Sequence, residues 1–110
     1  MDSNETCPPG LEAAMGVLGK KWTGLILRAL MDGPRRFTSI SGYVPGLSDR
    51  LLSQRLQELE TIKIVQRHVY DQRPVLVEYD LTEKGRDMRH VFEAIQAWSD
   101  RWESVETKAQ

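Results

Sequence analysis

The chain has 110 residues, 40% of them hydrophobic and 28% charged, enough for one compact core and too few for two ordinary domains. Its net charge is −1 and its one cysteine, Cys7, excludes both an intrachain disulfide and a zinc site built on paired cysteines. Met1 to Pro9 is polar and the longest aliphatic run, Leu25-Ile26-Leu27, is far too short for a bilayer, so a soluble, cytoplasmic protein without membrane contact is expected.

Residues 1–8 read as a flexible arm on a single domain covering 1–110. Pro8-Pro9-Gly10 then supplies a helix start, Leu11, Ala14, Met15 and Leu18 recur at helical spacing, and Gly19 supplies a stop. A second amphipathic face, Trp22, Leu25, Ile26, Ala29 and Leu30, ends at Asp32-Gly33-Pro34, where proline cannot continue a helix. Ile40 and Val44 lie one turn apart in a third, short helix that Thr38 or Ser39 can cap and Pro45-Gly46 closes. Ser48 caps a fourth helix, with Asp49 in its first turn and Leu52, Leu56 and Leu59 on one face. A short helix, a tight turn and a longer helix form a helix-turn-helix pattern.

From Ile64 the chain turns to β-branched and aromatic residues, Ile64-Val65 and Val69-Tyr70, then Val75, Val77, Tyr79 and Leu81 in alternation. Asp71-Gln72-Arg73-Pro74 separates the runs as a turn, which makes them an antiparallel hairpin, or wing. Thr82 caps a last helix, expected from Glu83 to about Val105, whose stripe is Met88, Val91, Phe92, Ile95, Trp98, Trp102 and Val105. The expected fold is α+β, mainly α: a winged helix-turn-helix with a two-stranded antiparallel wing and a long C-terminal dimerisation helix. The apolar stripe is longer than one wing and three short helices can cover. Leu11, Met88, Phe92, Ile95, Trp98 and Trp102 are therefore expected in a homodimer interface, and Trp22 in the core.

Charge is unevenly spread. Between Arg35 and Arg73, seven basic residues face four acidic ones, so this segment carries +3 and the remainder −4. With Leu52 at the centre of the buried face of the fourth helix, Arg50, Ser53, Gln54 and Gln57 fall opposite it, all able to hydrogen-bond base edges in double-stranded DNA. Arg50, Ser53 and Gln54 are the first choices for base contact. Arg55 flanks the buried face and suits a phosphate. Leu51, between the faces, either packs on the preceding helix or meets a thymine methyl, and Arg73 beside the hairpin tip is a candidate for the minor groove or a phosphate.

His68 and His90 have no partners at metal-ligand spacing, and no nucleophile with a neighbouring base or Gly-rich phosphate loop is present. No metal, cofactor or catalytic site is expected. Cys7 precedes a helix start, where the dipole favours a thiolate against the opposing charge of Glu5, so it is a candidate redox-sensing site for an oxidant or small-molecule electrophile. With no second cysteine, an oxidative response needs a Cys7 to Cys7′ bridge or an adduct.

The runs Leu18-Gly19-Lys20-Lys21-Trp22-Thr23, Ile26-Leu27-Arg28-Ala29-Leu30, Gly33-Pro34-Arg35-Arg36-Phe37, Leu52-Ser53-Gln54-Arg55-Leu56-Gln57-Glu58-Leu59-Glu60 and Val77-Glu78-Tyr79-Asp80-Leu81-Thr82 with Gly85 resemble the HxlR-type family of bacterial winged-helix regulators. Cys7-Pro8 and Trp98 fit the same likeness. It implies a dimeric transcription factor, repressor or activator, on an inverted-repeat operator, and some members use a cysteine at this place to sense oxidants or electrophiles. The family often has glycine between recognition helix and wing, where this chain has Ile62-Lys63-Ile64, so a different backbone geometry is expected there. A winged helix used only as a protein-interaction module is the alternative, and the basic middle segment counts against it.

Overall fold

The computed structural model describes residues 5–103 and runs α1 (Pro9–Leu18), α2 (Thr23–Met31), α3 (Phe37–Tyr43), α4 (Asp49–Thr61), β1 (Val65–Tyr70), β2 (Leu76–Leu81), α5 (Glu83–Arg86) and α6 (Arg89–Trp102). Periodicity places the core where expected. Ile26, Leu27, Ala29 and Leu30 of α2, Ile40 of α3 and Leu52, Leu56 and Leu59 of α4 are buried together with Ile64, Val65 and Leu81. Trp22 is half-buried against them.

Local chemistry sets the element ends. The Ser48 hydroxyl accepts from the Leu51 N–H at 3.1 Å and caps α4. The Thr82 hydroxyl does the same for Gly85, also at 3.1 Å, at the start of α5. For α3 the expected caps Thr38 and Ser39 are not used: the helix starts earlier, at Phe37, with Arg36 extended before it. The cause lies one residue back, where Arg35 and Tyr79 exchange backbone hydrogen bonds of 2.9 and 2.8 Å in a single-residue bridge, so the chain is extended there and turns at once into helix.

The wing pairs Val65 with Leu81 through Tyr70 with Leu76 in antiparallel register. Val75 stays in the connecting turn, outside the strands. The last helix is divided at Asp87-Met88 and does not run unbroken from Glu83. A Cβ on the buried Gly85 would collide with the Ile64 carbonyl, so α5 lies hard against the start of the wing. The Met88 and Val91 N–H groups then bond three residues back, to Gly85 and Met88, in a tightened turn that re-aims α6. Val105 lies outside the described residues.

At the end of α4 the expectation of a different geometry is corrected. Lys63 itself takes the left-handed conformation, φ 66°, that glycine would adopt. The Ile64 N–H bonds the Leu59 carbonyl at 2.9 Å and the Lys63 N–H bonds Glu60 at 3.0 Å, the paired bonds of a Schellman stop. Lys63→Gly should therefore stabilise the protein by about 1 kcal/mol by removing the left-handed cost of a Cβ. Thermal unfolding at fixed protein concentration should show a Tm roughly 4–8 °C higher. An unchanged or lower Tm would mean that Lys63 is not strained.

Candidate nucleic-acid interface

The outer face of α4 carries Arg50, Ser53, Gln54 and Gln57, all exposed, while Leu52, Leu56 and Leu59 anchor the opposite face. Leu51 is half-buried against the core, which favours packing over contact with a base. Polar side chains on a rigid, well-anchored helix are the arrangement needed to read base edges. Beside it stands the wing. Ser53 and Gln57 line one shallow cleft with Arg67 of β1 and Tyr79 of β2, so the strand arginine joins the same surface as the helix. Periodicity places Arg67 only somewhere in the hairpin. Arg73 is exposed in the turn between the strands.

The basic residues divide into two groups. Arg35 is engaged inside the protein: its Nε donates to the Ala29 carbonyl at 2.6 Å, its Nη1 to Ser39 at 2.9 Å, and its guanidinium lies 4.7 Å from the Tyr43 ring. Arg28 pairs with Asp32, and Arg86 bonds the Leu81 carbonyl at 2.7 Å. By contrast, the side chains of Arg36, Arg50, Arg67 and Arg73 make no hydrogen bond or ion pair with the described residues. Four cations without internal partners on α3, α4 and the wing are what a phosphate surface requires, whatever the net charge of the chain.

Arg55 belongs to the engaged group, although its sequence position suits a phosphate. Its Nε donates to the Lys21 carbonyl at 3.1 Å and its Nη1 pairs with Glu58 at 3.3 Å, leaving the side chain 14% exposed. The partner lies 34 residues away, so no local pattern reveals it. Glu58 collects a second cation, Lys20, at 3.3 Å, and its other oxygen lies 3.5 Å from the Gln54 amide nitrogen. Partial burial works against the Glu58 charge. The hydrogen bond and charge of Lys20, then the charge of Arg55 and the Gln54 amide, outweigh it and hold its carboxyl below the usual carboxylate value. The turn between α1 and α2, where Trp22 sits at a left-handed φ of 80°, is thereby fastened to α4.

A third surface is apolar. None of the residues of α1 or α6 is buried, and Leu11, Met15, Leu25, Val91, Ile95, Trp98 and Trp102 are exposed, the last two at 58% and 63%. Met88 and Phe92 are half-buried against the core. Between α2 and α6 runs a groove of about 530 Å³, bordered by Leu18, Trp22, Leu25, Phe92 and Ile95. Cys7 is exposed ahead of α1, its Sγ 3.7 Å from the Pro8 carbonyl oxygen.

Comparison with known proteins agrees with this geometry. The HxlR-like helix-turn-helix family model matches residues 17–107. The HTH-type transcriptional regulator YodB of Bacillus subtilis is 48% identical over 99 residues, which are 90% of this chain and 88% of that protein. The crystal structure of quinone-bound YodB superposes with a TM-score of 0.76 at 46% identity, covering 87% of this chain and all of that one. The redox regulator HypR in its reduced form gives 0.80 at 34% identity, over 90% of this chain and 98% of that one.

The division of the cations has a measurable consequence. Arg36→Ala should lower the slope of log affinity for random duplex against log salt by about 0.9 for each phosphate that the arginine neutralises. Arg55→Ala should leave that slope unchanged and destabilise the fold by about 1–2 kcal/mol, because it strips the Lys21 carbonyl and Glu58 of their partner. A flattened slope for Arg55→Ala in the same titration would return it to the phosphate-binding set.

Proposed function

The chain belongs to the HxlR-like helix-turn-helix family of transcriptional regulators, and we propose that it binds an inverted-repeat operator as a homodimer in the cytoplasm. The observation that carries this reading is the outer face of α4, four exposed polar side chains beside a wing whose Arg67 shares a cleft with Ser53 and Gln57, while Arg36 and Arg73 are exposed and without partners among the described residues. Arg50, Ser53 and Gln54 read bases, Gln57 reaches the same groove, and Arg36, Arg67 and Arg73 hold phosphates or the minor groove. Arg55 acts through α4 and not on the DNA.

A second copy is the occupant that best suits the apolar face. Helices of 10 and 14 residues with no buried side chain have little to stabilise them in isolation, and an exposed stripe containing two tryptophans gains most from meeting another like it. Leu11, Met88, Phe92, Ile95, Trp98 and Trp102 form the interface, and the twofold axis sets two α4 helices about 34–36 Å apart on one side of the duplex.

Arg50→Ala and Gln54→Ala should each cost about 1–3 kcal/mol on the preferred operator and relax one base position in each half-site. The two positions should be related by the dyad. Titration of each variant on operator and on scrambled duplex decides the matter: an unchanged ratio of the two affinities in both variants excludes α4 as the reader, and a single affected position excludes the twofold dimer.

Cys7 is the proposed sensor. Its exposed thiolate adds to a quinone ring carbon, the ring gains the proton and becomes a thioether-linked hydroquinone. Alternatively, two Cys7 thiols of one dimer give up two electrons and two protons to a peroxide, which leaves as water, and form a disulfide. That a close relative was crystallised quinone-bound supports the electrophile route. Cys7→Ser should bind operator like the wild type when reduced and keep that affinity in quinone or peroxide, whereas the wild type loses or changes its own. An equal response of the two proteins removes Cys7 from sensing.

A further inference from the structure

We propose that Glu58 is a positioning residue that fixes the side-chain amide of Gln54, so that this glutamine reads adenine in each half-site. The inference rests on α4 being the reading helix and adds to it which base one of its side chains selects, and why.

A glutamine amide has two faces, a carbonyl oxygen that accepts and an NH2 that donates. Free in solvent it turns either way, and on a groove floor the two orientations suit different bases. Oxygen outward, it accepts from a base donor. With only N–H groups outward, it suits the two acceptors of guanine, O6 and N7. Gln54 is not free. One turn further along α4, the Glu58 carboxylate lies 3.5 Å from its amide nitrogen. An ionised carboxylate only accepts, so the amide must present its NH2 to Glu58 and swing its oxygen away. Glu58 in turn is held in place by Lys20, 3.3 Å from one oxygen, and by Arg55, 3.3 and 3.4 Å from its two oxygens.

The consequence is a fixed pattern on the outer face of the helix. One N–H of Gln54 points to Glu58, the second N–H remains available, and the oxygen faces out. Adenine offers the match: its N6 amino group donates to the glutamine oxygen, and its N7 accepts the remaining N–H. Guanine would require the amide to turn its oxygen onto a carboxylate. Two cations on one anion also leave the cluster with a net positive charge, so Glu58 does not drive the DNA backbone away.

Selection of bound sequences from a random duplex pool, with the full chain as wild type, Gln54→Ala, Glu58→Ala and Glu58→Gln, tests this. The wild type should select adenine at one position per half-site, and Gln54→Ala should lose that preference. Glu58→Ala frees the amide, and guanine at that position should gain about tenfold relative to adenine, with other positions unchanged. Glu58→Gln should go further and favour guanine, because Lys20 and Arg55, donors only, take the oxygen of the new amide and leave its NH2 to turn Gln54 around. Glu58 packs in no core position, and affinity for scrambled duplex reports that each variant folds. If both Glu58 variants keep the wild-type adenine preference while Gln54→Ala loses it, the positioning role is wrong and α4 still reads. A Gln54→Ala profile identical to wild type overturns the proposal at its base, and Arg50→Ala then reports on α4 independently.

Discussion

Three carbonyl oxygens in the turn between α4 and β1 tie α4 to the wing. The Lys63 and Ile64 N–H groups close the helix on Glu60 and Leu59, which leaves the carbonyls of Ile62, Lys63 and Ile64 to find donors of their own. Here the donors come from the far end of the hairpin. The Thr82 hydroxyl donates to Lys63 at 2.6 Å, the Thr82 N–H to Ile64 at 3.0 Å, and the Lys84 ammonium to Ile62 at 2.8 Å. The same threonine hydroxyl caps α5. The α4–β1 turn and the β2–α5 joint are thus one hydrogen-bonded unit, and Gly85 is buried because nothing larger fits over the Ile64 carbonyl.

That unit explains how a chain of net charge −1 presents a cationic surface. Arg28, Arg35, Arg55 and Arg86 are tied to carbonyls or carboxylates of the fold, while Arg36, Arg50, Arg67 and Arg73 project from rigid elements with nothing among the described residues to hold them. Counting arginines along the chain mixes the two groups. Within α4 the contrast is clear: Arg50 is exposed, and Arg55, a turn and a half later, is folded back onto the Lys21 carbonyl.

Most of the fold could be read from the sequence because the signals are local and redundant. Ser48 and Thr82 act as caps because a hydroxyl three residues ahead of an N–H is sufficient, and Leu52, Leu56 and Leu59 share a face by helix geometry alone. What could not be read depends on contacts far apart in sequence. Arg55 meets Lys21, Arg35 pairs with Tyr79, and Gly85 presses on Ile64; the last two override local expectations about a helix cap and an unbroken last helix, and the first gives Arg55 an internal partner that its sequence position does not reveal. Lys63 is a different case: the missing glycine is visible in the sequence, yet the lysine adopts the glycine geometry, because the bonds to Leu59 and Glu60 and the burial of Ile64 outweigh the cost of a left-handed Cβ. The candidate reading face was legible residue by residue, whereas the roles of Arg67 and Glu58 were not, since a strand's lateral position and the contact of Glu58 with Lys20, 38 residues away, leave no local pattern.

The apolar and the polar surfaces are joined by short mechanical paths. Going one way, α6 follows α5 after a two-residue turn, and α5 is seated on the carbonyl that begins the wing. Going the other way, α1 ends at Gly19, next to Lys20 and Lys21, whose ammonium and carbonyl are held by Glu58 and Arg55 of α4. Short connections and salt-bridged or hydrogen-bonded links therefore join α1 and α6 to α4 and the wing. The two outer helices meet the core through half-buried side chains such as Leu18 and Phe92 and have no fully buried residue, so much of their apolar surface is left for whatever covers them.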